Sequence, residues 1–250
     1  MLRYPVARKI RFRYLPGWRT YRIRKGTTVP TIAIASPKGG AGKSTTAVIL
    51  ATELAHAGVG VTLLDCDPNR SVSLWASRGA KPPRIDVIAD VTESTIIRTI
   101  KECDKDGQVV VVDLEGIASR LMSRAISQAD LVITPMRATT LDATIGARTI
   151  ALIQEEEEAL GRSIPLSIVF TMTKTVRSKQ HSGIAASLRE QDIDIIEPDL
   201  LERSAFSALF EFGGDLYTMP NQGNAEAARK NASAFSQAVL NRLMKELGDE

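Results

Sequence analysis

Two lysines enclose a glycine-rich stretch that lies between an apolar segment of strand length and a segment with helical spacing. In order, the stretch reads Lys38, Gly39, Gly40, Ala41, Gly42, Lys43, Ser44, Thr45. Residues 31–36 before it have the apolar character of a buried strand, and residues 46–57 after it have the spacing of a helix. Glycines let the main chain curl so that successive N–H groups point at phosphate oxygens, and the helix adds the positive end of its dipole. This order of elements predicts a phosphate-binding loop.

The charged and hydroxyl residues of the loop have separate chemical uses. Lys43 supplies a cation for the β- and γ-phosphates, and Ser44 supplies a hydroxyl that can bind Mg²⁺. The general loop pattern begins with a glycine where this chain has Pro37, whereas residues 42–44 match the end of the pattern. A plain glycine-rich turn before a helix is the alternative, but it leaves the two flanking lysines unexplained.

From residue 31 onwards, apolar segments of strand length alternate with segments of helical spacing. Strands are predicted at residues 31–36, 61–65, 85–89, 109–114, 131–134, 166–171 and 193–196, and helices at residues 46–57, 142–160, 182–190 and 225–247. Several strands, such as residues 109–112, are apolar on both faces, which suits parallel strands covered by helices on both sides. The sequence therefore predicts an α/β fold with a doubly wound, mostly parallel sheet, whose ligand lies at the carboxyl ends of the strands.

Residues 1–30 differ from the rest of the chain in charge. They hold nine Lys or Arg and no acid, so the remaining 220 residues carry a net charge of −6 although the whole chain carries +3. We expect a basic N-terminal extension, followed by a single domain over residues 31–250. The extension is interpreted either as disordered or as an arm that binds phosphate backbones non-specifically. With no secretory signal and no run of about 18 apolar residues, a cytoplasmic protein without membrane attachment is expected.

Carboxylates stand at the carboxyl ends of two predicted strands. Asp65 and Asp67 end the strand at residues 61–65, and Asp113 ends the apolar run at residues 109–112. An apolar strand that ends in an acid is the pattern that holds a water on Mg²⁺ beside a phosphate-binding loop. A second interpretation makes Asp67 or Asn69 the N-cap of a helix that begins near residue 71.

These motifs together resemble the ParA/MinD family of P-loop ATPases. Residues 38–44 have the K-G-G-x-G-K-[ST] form of the family's deviant Walker A motif, and residues 65–69 match its D-x-D-P-[QN] segment. Residues 202–214 resemble the E-R-x-A-F…G stretch of ParA-like proteins, most closely the VirC-type ATPases of DNA-transfer systems. The resemblance covers about residues 31–250 and implies ATP and Mg²⁺ as cofactors.

The resemblance also implies roles for individual residues. Lys38, Lys43 and Asp67 are expected to be catalytic: Lys38 reaches the phosphates of a partner protomer in an ATP-bound homodimer, and Asp67 orients the attacking water. The nucleotide-binding residues are expected to be Lys38, Gly39, Gly40, Ala41, Gly42, Lys43, Ser44 and Thr45. The magnesium site is expected to involve Ser44 directly and two carboxylates through water, namely Asp65 and Asp113.

Other segments are less specific. Glu115 departs from the family pattern and is either a second water-positioning acid or a solvated loop charge. Arg137 stands where a glutamine is common, and its segment either belongs to the nucleotide-sandwich interface or is an ordinary turn with Asp142 as N-cap. Residues 171–174 are expected near the adenine, while both histidines are read as structural or surface residues. A weak DNA-binding face, or only a charged surface, is predicted for Arg177, Lys179, Arg189 and Arg203.

The implied function is slow ATP hydrolysis stimulated by a partner protein, either a centromere-binding protein or a relaxosome component. ATP-dependent dimerisation would gate non-specific DNA binding in plasmid or chromosome partitioning, on the nucleoid of a bacterial cytoplasm. One alternative is a VirC-type accessory ATPase of conjugative DNA transfer. The other is a metabolic or metal-cluster-delivery ATPase on the same fold. MinD-type membrane attachment is not expected, because the chain ends in residues 248–250 with two acids rather than a basic amphipathic helix.

Overall fold

The computed structural model describes residues 8–10, 21–23, 29–103, 108–116, 119–219 and 224–248, and its centre is a parallel sheet. The strands are β1 (Arg8–Ile10), β2 (Tyr21–Ile23), β3 (Thr31–Ile34), β4 (Gly60–Cys66), β5 (Ile85–Ile88), β6 (Gln108–Leu114), β7 (Leu131–Met136), β8 (Leu166–Thr173), β9 (Asp194–Ile195) and β10 (Leu200–Leu201). The helices are α1 (Lys43–His56), α2 (Ser71–Arg78), α3 (Ile96–Glu102), α4 (Arg120–Ile126), α5 (Thr140–Leu160), α6 (Lys179–Glu190), α7 (Ser204–Phe212) and α8 (Ala225–Glu246).

The sheet has the strand order β10-β8-β7-β3-β6-β4-β5, and β9 also pairs with β8. Every described strand pair in this sheet is parallel. The predicted doubly wound, mostly parallel sheet is therefore confirmed. Strands that run in one direction bring their carboxyl ends to one edge, so the loops after β3, β4, β6 and β8 lie together there.

Alternation along the strands builds a core on each side of the sheet. On β6, Val109 and Val111 belong to the core that also contains residues of α1, α2, α7 and α8. Val110 and Val112 point the other way, into the core formed with α3, α4 and part of α5. Successive side chains of a strand face opposite sides, so a continuous run of valines fills both cores.

The structure corrects both helix starts for which the sequence offered an aspartate or asparagine cap as one interpretation. The N-cap of α5 is Thr139, whose hydroxyl accepts a hydrogen bond from the backbone N–H of Asp142, so the assignment of Asp142 as N-cap is wrong. The N-cap of α2 is Arg70, so neither Asp67 nor Asn69 holds that position. Threonine satisfies the first-turn donor of α5 just as an aspartate would, and local sequence does not separate the two.

Three of the described strands were not predicted, namely β1, β2 and β10. β1 and β2 form an antiparallel pair within the N-terminal extension, with Lys9 opposite Arg22. The other residues between 1 and 28 lie outside the described residues. The interpretation of the extension as disordered or as a binding arm falls on those residues and stays a prediction. Within the described part of the chain, no helix combines the length and the apolar character needed to cross a membrane.

Candidate nucleotide-binding site

A cavity of about 680 Å³ opens at the carboxyl ends of β3, β4 and β6. It is lined by Gly39, Gly40, Gly42, Lys43, Ser44, Thr45, Asp67, Pro68, Asn69, Ser71, Glu115, Gly116, Met172 and Phe210. The fold thus brings most of the predicted loop together with Asp67, which lies 24 residues further along the chain. A cavity of this size, walled by a glycine loop and a helix start, is suited to a phosphorylated small molecule.

The loop ends directly at the start of α1. Gly42 is the N-cap residue with φ 91°, a left-handed conformation that favours glycine, and no side chain caps the helix. The first turn of α1 also contains no acid. The N-terminal N–H groups and the positive end of the helix dipole therefore face the cavity without a competing carboxylate, which is the arrangement that binds an anion.

Side chains of Arg137, which directly follows β7, and of Thr171 on β8 hold the outer carbonyls of the loop. The Thr171 hydroxyl donates to the carbonyl of Ala41 at 2.8 Å, and Arg137 Nη2 donates to the carbonyl of Gly40 at 3.2 Å. Gly40 also has a positive φ of 74°. Because these carbonyls are bonded on the outside of the loop, its curled shape is supported before any ligand binds.

Lys43 is placed inside the protein beneath the loop. Its side chain is only 5% exposed, and its ammonium donates to the carbonyl of Lys38 at 3.2 Å. Burial lowers the pKa of Lys43, and the nearby carboxylates of Asp113, Asp67 and Glu115 oppose that shift. An ammonium in such surroundings gains strongly from a polyanionic ligand.

The two predicted magnesium carboxylates stand side by side, because Asp65 on β4 and Asp113 on β6 are register partners. Asp113 is fully buried, and neither of its oxygens makes a hydrogen bond of ordinary geometry. Burial raises the pKa of Asp113 to about 7, partly offset by the neighbouring Ser44 hydroxyl. One oxygen of Asp65 accepts from the N–H and hydroxyl of Ser73 in α2, and its other oxygen is buried without a partner.

These orphaned oxygens beside the Ser44 hydroxyl fit a magnesium site. A buried carboxylate that lacks hydrogen bonds is unfavourable unless a cation or its bound water satisfies it. Among the described residues there is no group of three His, Cys, Asp or Glu side chains able to hold a metal. The Ser44 hydroxyl and the carboxylates of Asp65 and Asp113 therefore suit Mg²⁺ that is bound by the hydroxyl, by phosphate oxygens and by waters on the carboxylates. They do not form a cage of protein ligands.

Asp67 lies at the wall of the cavity in a fixed orientation. Its Oδ1 accepts hydrogen bonds from the backbone N–H and the side-chain amide of Asn69, both at 2.8 Å. The residue is mostly buried yet lines the cavity. A carboxylate anchored through one oxygen in this way is positioned to accept a hydrogen bond from a water in the cavity.

The loop after β6 packs directly on the phosphate-binding loop. Glu115 and Gly116 both line the cavity, and Glu115 is close enough to act on the charge of Lys43. A Cβ added at Gly116 would lie 3.2 Å from the backbone nitrogen of Gly39 and 3.4 Å from Lys43 Nζ. Glycine at position 116 therefore permits a close approach of two main chains, a requirement that the sequence did not reveal.

Lys38 lies at the outer rim of the loop and is paired within its own chain. Its ammonium contacts Asp142 Oδ1 at 2.9 Å, with side-chain exposures of 28% for Lys38 and 3% for Asp142. The other oxygen of Asp142 accepts from the Thr139 hydroxyl. The predicted reach of Lys38 to a partner's phosphates remains a prediction, since the described residues belong to one protomer.

A second, smaller cavity adjoins the first. It is lined by Gly42, Thr45, Thr46, Thr171, Met172, Leu200, Leu201, Glu202, Arg203, Phe206 and Ser207. Met172 has a positive φ of 53°, and it lies between the two β8 residues that pair with β10, so the strand bulges there. The bulge turns Met172 into the wall that both cavities share. The sequence predicted residues 171–174 near the adenine. It singled out Phe206 only as part of the family stretch at residues 202–214 and did not place Phe206 or Phe210 at a cavity, because their approach depends on how α7 packs.

Comparison with known proteins identifies the family. A family model described as VirC1 protein matches residues 29–247. The chain belongs to the VirC1 family. A relative from Rhizobium radiobacter, named Protein ParA, is 58% identical to this VirC1-family chain over 221 residues, which are 88% of the chain and 100% of the relative. The resemblance of the sequence to ParA-like and VirC-type proteins is thereby confirmed.

Solved structures show the same fold. The ATP complex of a McdA variant from Cyanothece has a TM-score of 0.68 at 19% identity, and the match covers 86% of this chain and 97% of that one. Cobyrinic acid a,c-diamide synthase from Mycobacterium smegmatis, with a bound ATP analogue and magnesium, has a TM-score of 0.63 at 15% identity, covering 85% and 95%. At these identities the likeness concerns the fold alone.

The four candidate DNA-binding residues of this VirC1-family chain do not form one free basic face. Arg177 contacts Glu197 at 2.7 Å and Asp199 at 2.8 Å, and Arg189 also contacts Glu197. Arg203 lines the second cavity, with its Nε buried and unpartnered, while Lys179 is exposed at the start of α6. The DNA-binding role of the four residues stays a prediction.

Both histidines pair with carboxylates, His56 with Asp215 and His181 with Asp199, which fits a structural role.

Proposed function

We propose that this chain is a ParA-like ATPase in which binding of ATP with Mg²⁺ drives dimerisation, and dimerisation controls non-specific binding to DNA during plasmid or chromosome partitioning. The observation that carries the proposal is the cavity lined by the glycine loop, Lys43 and Ser44, with the buried and unsatisfied carboxylate of Asp113 nearby on β6. The relative named ParA and the fold neighbours with bound ATP or an ATP analogue support it.

The residues divide the work according to their positions. The start of α1 and Lys43 bind the β- and γ-phosphates, and the second cavity receives the adenine between Met172 and Phe206. Ser44 would hold Mg²⁺, with Asp113 and Asp65 holding its waters. When bound, the metal supplies charge neutralisation at the phosphates. Asp67, held by Asn69, orients the water that attacks the γ-phosphate. A partner protein would stimulate this hydrolysis.

The negative charge of the bound triphosphate gives the physical reason for dimerisation. A triphosphate carries about four negative charges, and each chain supplies only Lys43 from inside its own loop. Lys38 at the rim can reach outward to a nucleotide held by a second copy, so that each site is completed by its twin. Loss of the γ-phosphate removes that attraction, and the dimer opens. DNA binding then depends on the nucleotide, because only the closed dimer presents the cationic side chains of two copies to one duplex.

One experiment tests the proposal as a whole. Binding of the protein to a random-sequence duplex is measured by fluorescence anisotropy with ATP, with ADP and without nucleotide, using the full chain and a version that lacks residues 1–28. We expect ATP to strengthen binding of both versions. Equal binding in all three nucleotide states would refute ATP-gated DNA binding, and loss of all binding in the truncated version would assign DNA binding to the extension alone.

The VirC1 family match favours a second candidate function, an accessory ATPase of conjugative DNA transfer. The two functions differ in the partner that stimulates hydrolysis. A centromere-binding protein that raises ATP turnover supports partitioning, whereas stimulation by a relaxosome component supports transfer. Steady-state phosphate release with each partner separates the two.

A further inference from the structure

The turn that leads from β7 into the first residues of α5, residues 137–142, holds the rim of the phosphate-binding loop at two points. Asp142 contacts Lys38 at 2.9 Å, and Arg137 Nη2 contacts the Gly40 carbonyl at 3.2 Å. These contacts join residues about 100 positions apart in the sequence. The turn therefore carries one anion and one cation, both directed at the same few residues of the loop.

Asp142 is a buried anion whose counter-ion, Lys38, is partly exposed at the rim of the loop. Its side chain is 3% exposed, one oxygen accepts from the Thr139 hydroxyl and the other contacts Lys38. Burial by itself raises the pKa of Asp142, but the Thr139 hydroxyl, Lys38 and the charge of Arg137 together lower it below its ordinary value. At neutral pH the carboxylate is therefore ionised and needs a cation close by.

Lys38 cannot serve two anions at once. The proposed function requires its ammonium to turn to the phosphates of the second copy, which removes it from Asp142. A buried carboxylate left without its cation is strongly unfavourable, so the exchange opposes dimer closure unless another cation takes the place of Lys38.

Arg137 is the cation placed for that exchange. It is exposed, it begins the turn that Asp142 ends, and its charge already acts on Asp142. Its present bond, to the neutral Gly40 carbonyl, is weaker than a bond to a carboxylate would be. A guanidinium contacts a carboxylate oxygen in a fixed geometry and carries a positive charge. The glutamine that is common at this position in related proteins is neutral and cannot balance the charge of Asp142.

We infer that Arg137 replaces Lys38 as the counter-ion of Asp142 when Lys38 turns to the second copy, so that Arg137 is a positioning residue for dimer closure. The inference rests on the proposed function, because it presupposes an ATP-dependent dimer. It assigns Arg137 a role that depends on Asp142 and not on the nucleotide bound by its own chain.

The test is a double-mutant cycle on the full chain. Dimer dissociation constants are measured by analytical ultracentrifugation with a non-hydrolysable ATP analogue and Mg²⁺ for the parent, R137Q, R137K, D142N and the R137Q/D142N double variant. Nucleotide affinity of the monomer is measured at low protein concentration. The matched control is Arg148→Gln, a change at an exposed arginine of α5, the helix that contains Asp142. Circular dichroism checks that each variant is folded.

At an analogue concentration that saturates every variant, so that the loss of the Arg137–Gly40 bond does not enter through nucleotide affinity, we expect R137Q to weaken the dimer about tenfold. R137K should retain most of the dimer affinity, and R148Q should match the parent. In the D142N background, R137Q should have no further effect, because no charge remains to be balanced. If the parent and R137Q have equal dimer dissociation constants, this inference alone is overturned. The same holds if R137Q weakens the D142N dimer as much as it weakens the parent dimer. A parent that stays monomeric with the analogue overturns the proposed dimer and the inference together.

Discussion

Gly116 offers a direct test of the site, since its effect on nucleotide binding can be worked out from distances. The residue lies in the loop after β6 and has no positive φ, so alanine can adopt its backbone conformation. The added Cβ of Gly116→Ala would lie 3.2 Å from the backbone nitrogen of Gly39 and 3.4 Å from the carbonyl carbon of Lys38. Both atoms are main chain and cannot move aside as a side chain could.

Overpacking of this kind costs about 1–3 kcal/mol when the neighbours must shift. Because the neighbours are the phosphate-binding loop itself, the strain is relieved by displacing the loop from the shape that binds ATP. The same free energy then appears as a loss of affinity, about 5- to 150-fold at room temperature. The free energy of unfolding should fall by less than this, because the displaced loop has already relieved most of the strain in the protein without nucleotide.

The assay is titration with a fluorescent ATP analogue, with urea denaturation alongside. Gly183→Ala is the matched control, because it lies in α6 and an added Cβ there meets nothing within 4 Å. The control should keep parental affinity and gain about 0.5–1 kcal/mol of stability from its improved helix propensity. A folded G116A protein that binds the analogue as tightly as the parent would contradict the close packing of these two loops.

Three further predictions concern single side chains. Lys43→Ala should weaken binding of fluorescent ATP by about 100-fold or more, since it removes the buried cation, and unchanged affinity would refute the loop assignment. Asp67→Ala should still bind ATP and elute as a dimer with it, but release phosphate about 100-fold more slowly; hydrolysis at the parental rate would remove Asp67 from its role. Burial raises the pKa of Glu53 to about 7 from an ordinary 4.5, so between these pH values the folded chain holds a proton that the unfolded chain has lost, and its stability falls as pH rises. Glu53→Gln should therefore gain stability relative to the parent across that window, by up to about 3 kcal/mol in urea denaturation, and a difference independent of pH would contradict the buried acid.

The parts of this fold that the sequence predicted are those whose residues are adjacent in the chain. The valine run of β6 predicts a strand buried on both faces, because no other element accommodates four consecutive β-branched residues so readily. Residues 38–45 predict a phosphate-binding loop, since the glycines, the lysines and the following helix are contiguous. Asp65 and Asp113 also follow from local pattern, because each ends an apolar strand.

The parts that could not be predicted depend on contacts between distant segments. The Lys38–Asp142 pair spans 104 residues, and the Thr171–Ala41 bond spans 130. β10 has only two residues, too few for any alternation to be visible. Arg203 looks like any surface arginine in the sequence, and only the packing of α7 places it in the second cavity. Such juxtapositions are set by the tertiary fold, which local patterns do not encode.

The electrostatics of the site explain why the nucleotide is needed to complete it. Burial raises the pKa of Asp113 and lowers that of Lys43, so each group is held where its charged form is disfavoured. A metal beside Asp113 and phosphates beside Lys43 favour those charged forms, and the binding free energy therefore includes relief of both penalties. In the proposed function the same reasoning applies at the rim, where Asp142 is buried and its partner Lys38 would turn to a second copy. In that proposal, a loop whose charges are unsatisfied on the inside and exchangeable on the outside would link occupancy of the cavity to assembly of the dimer.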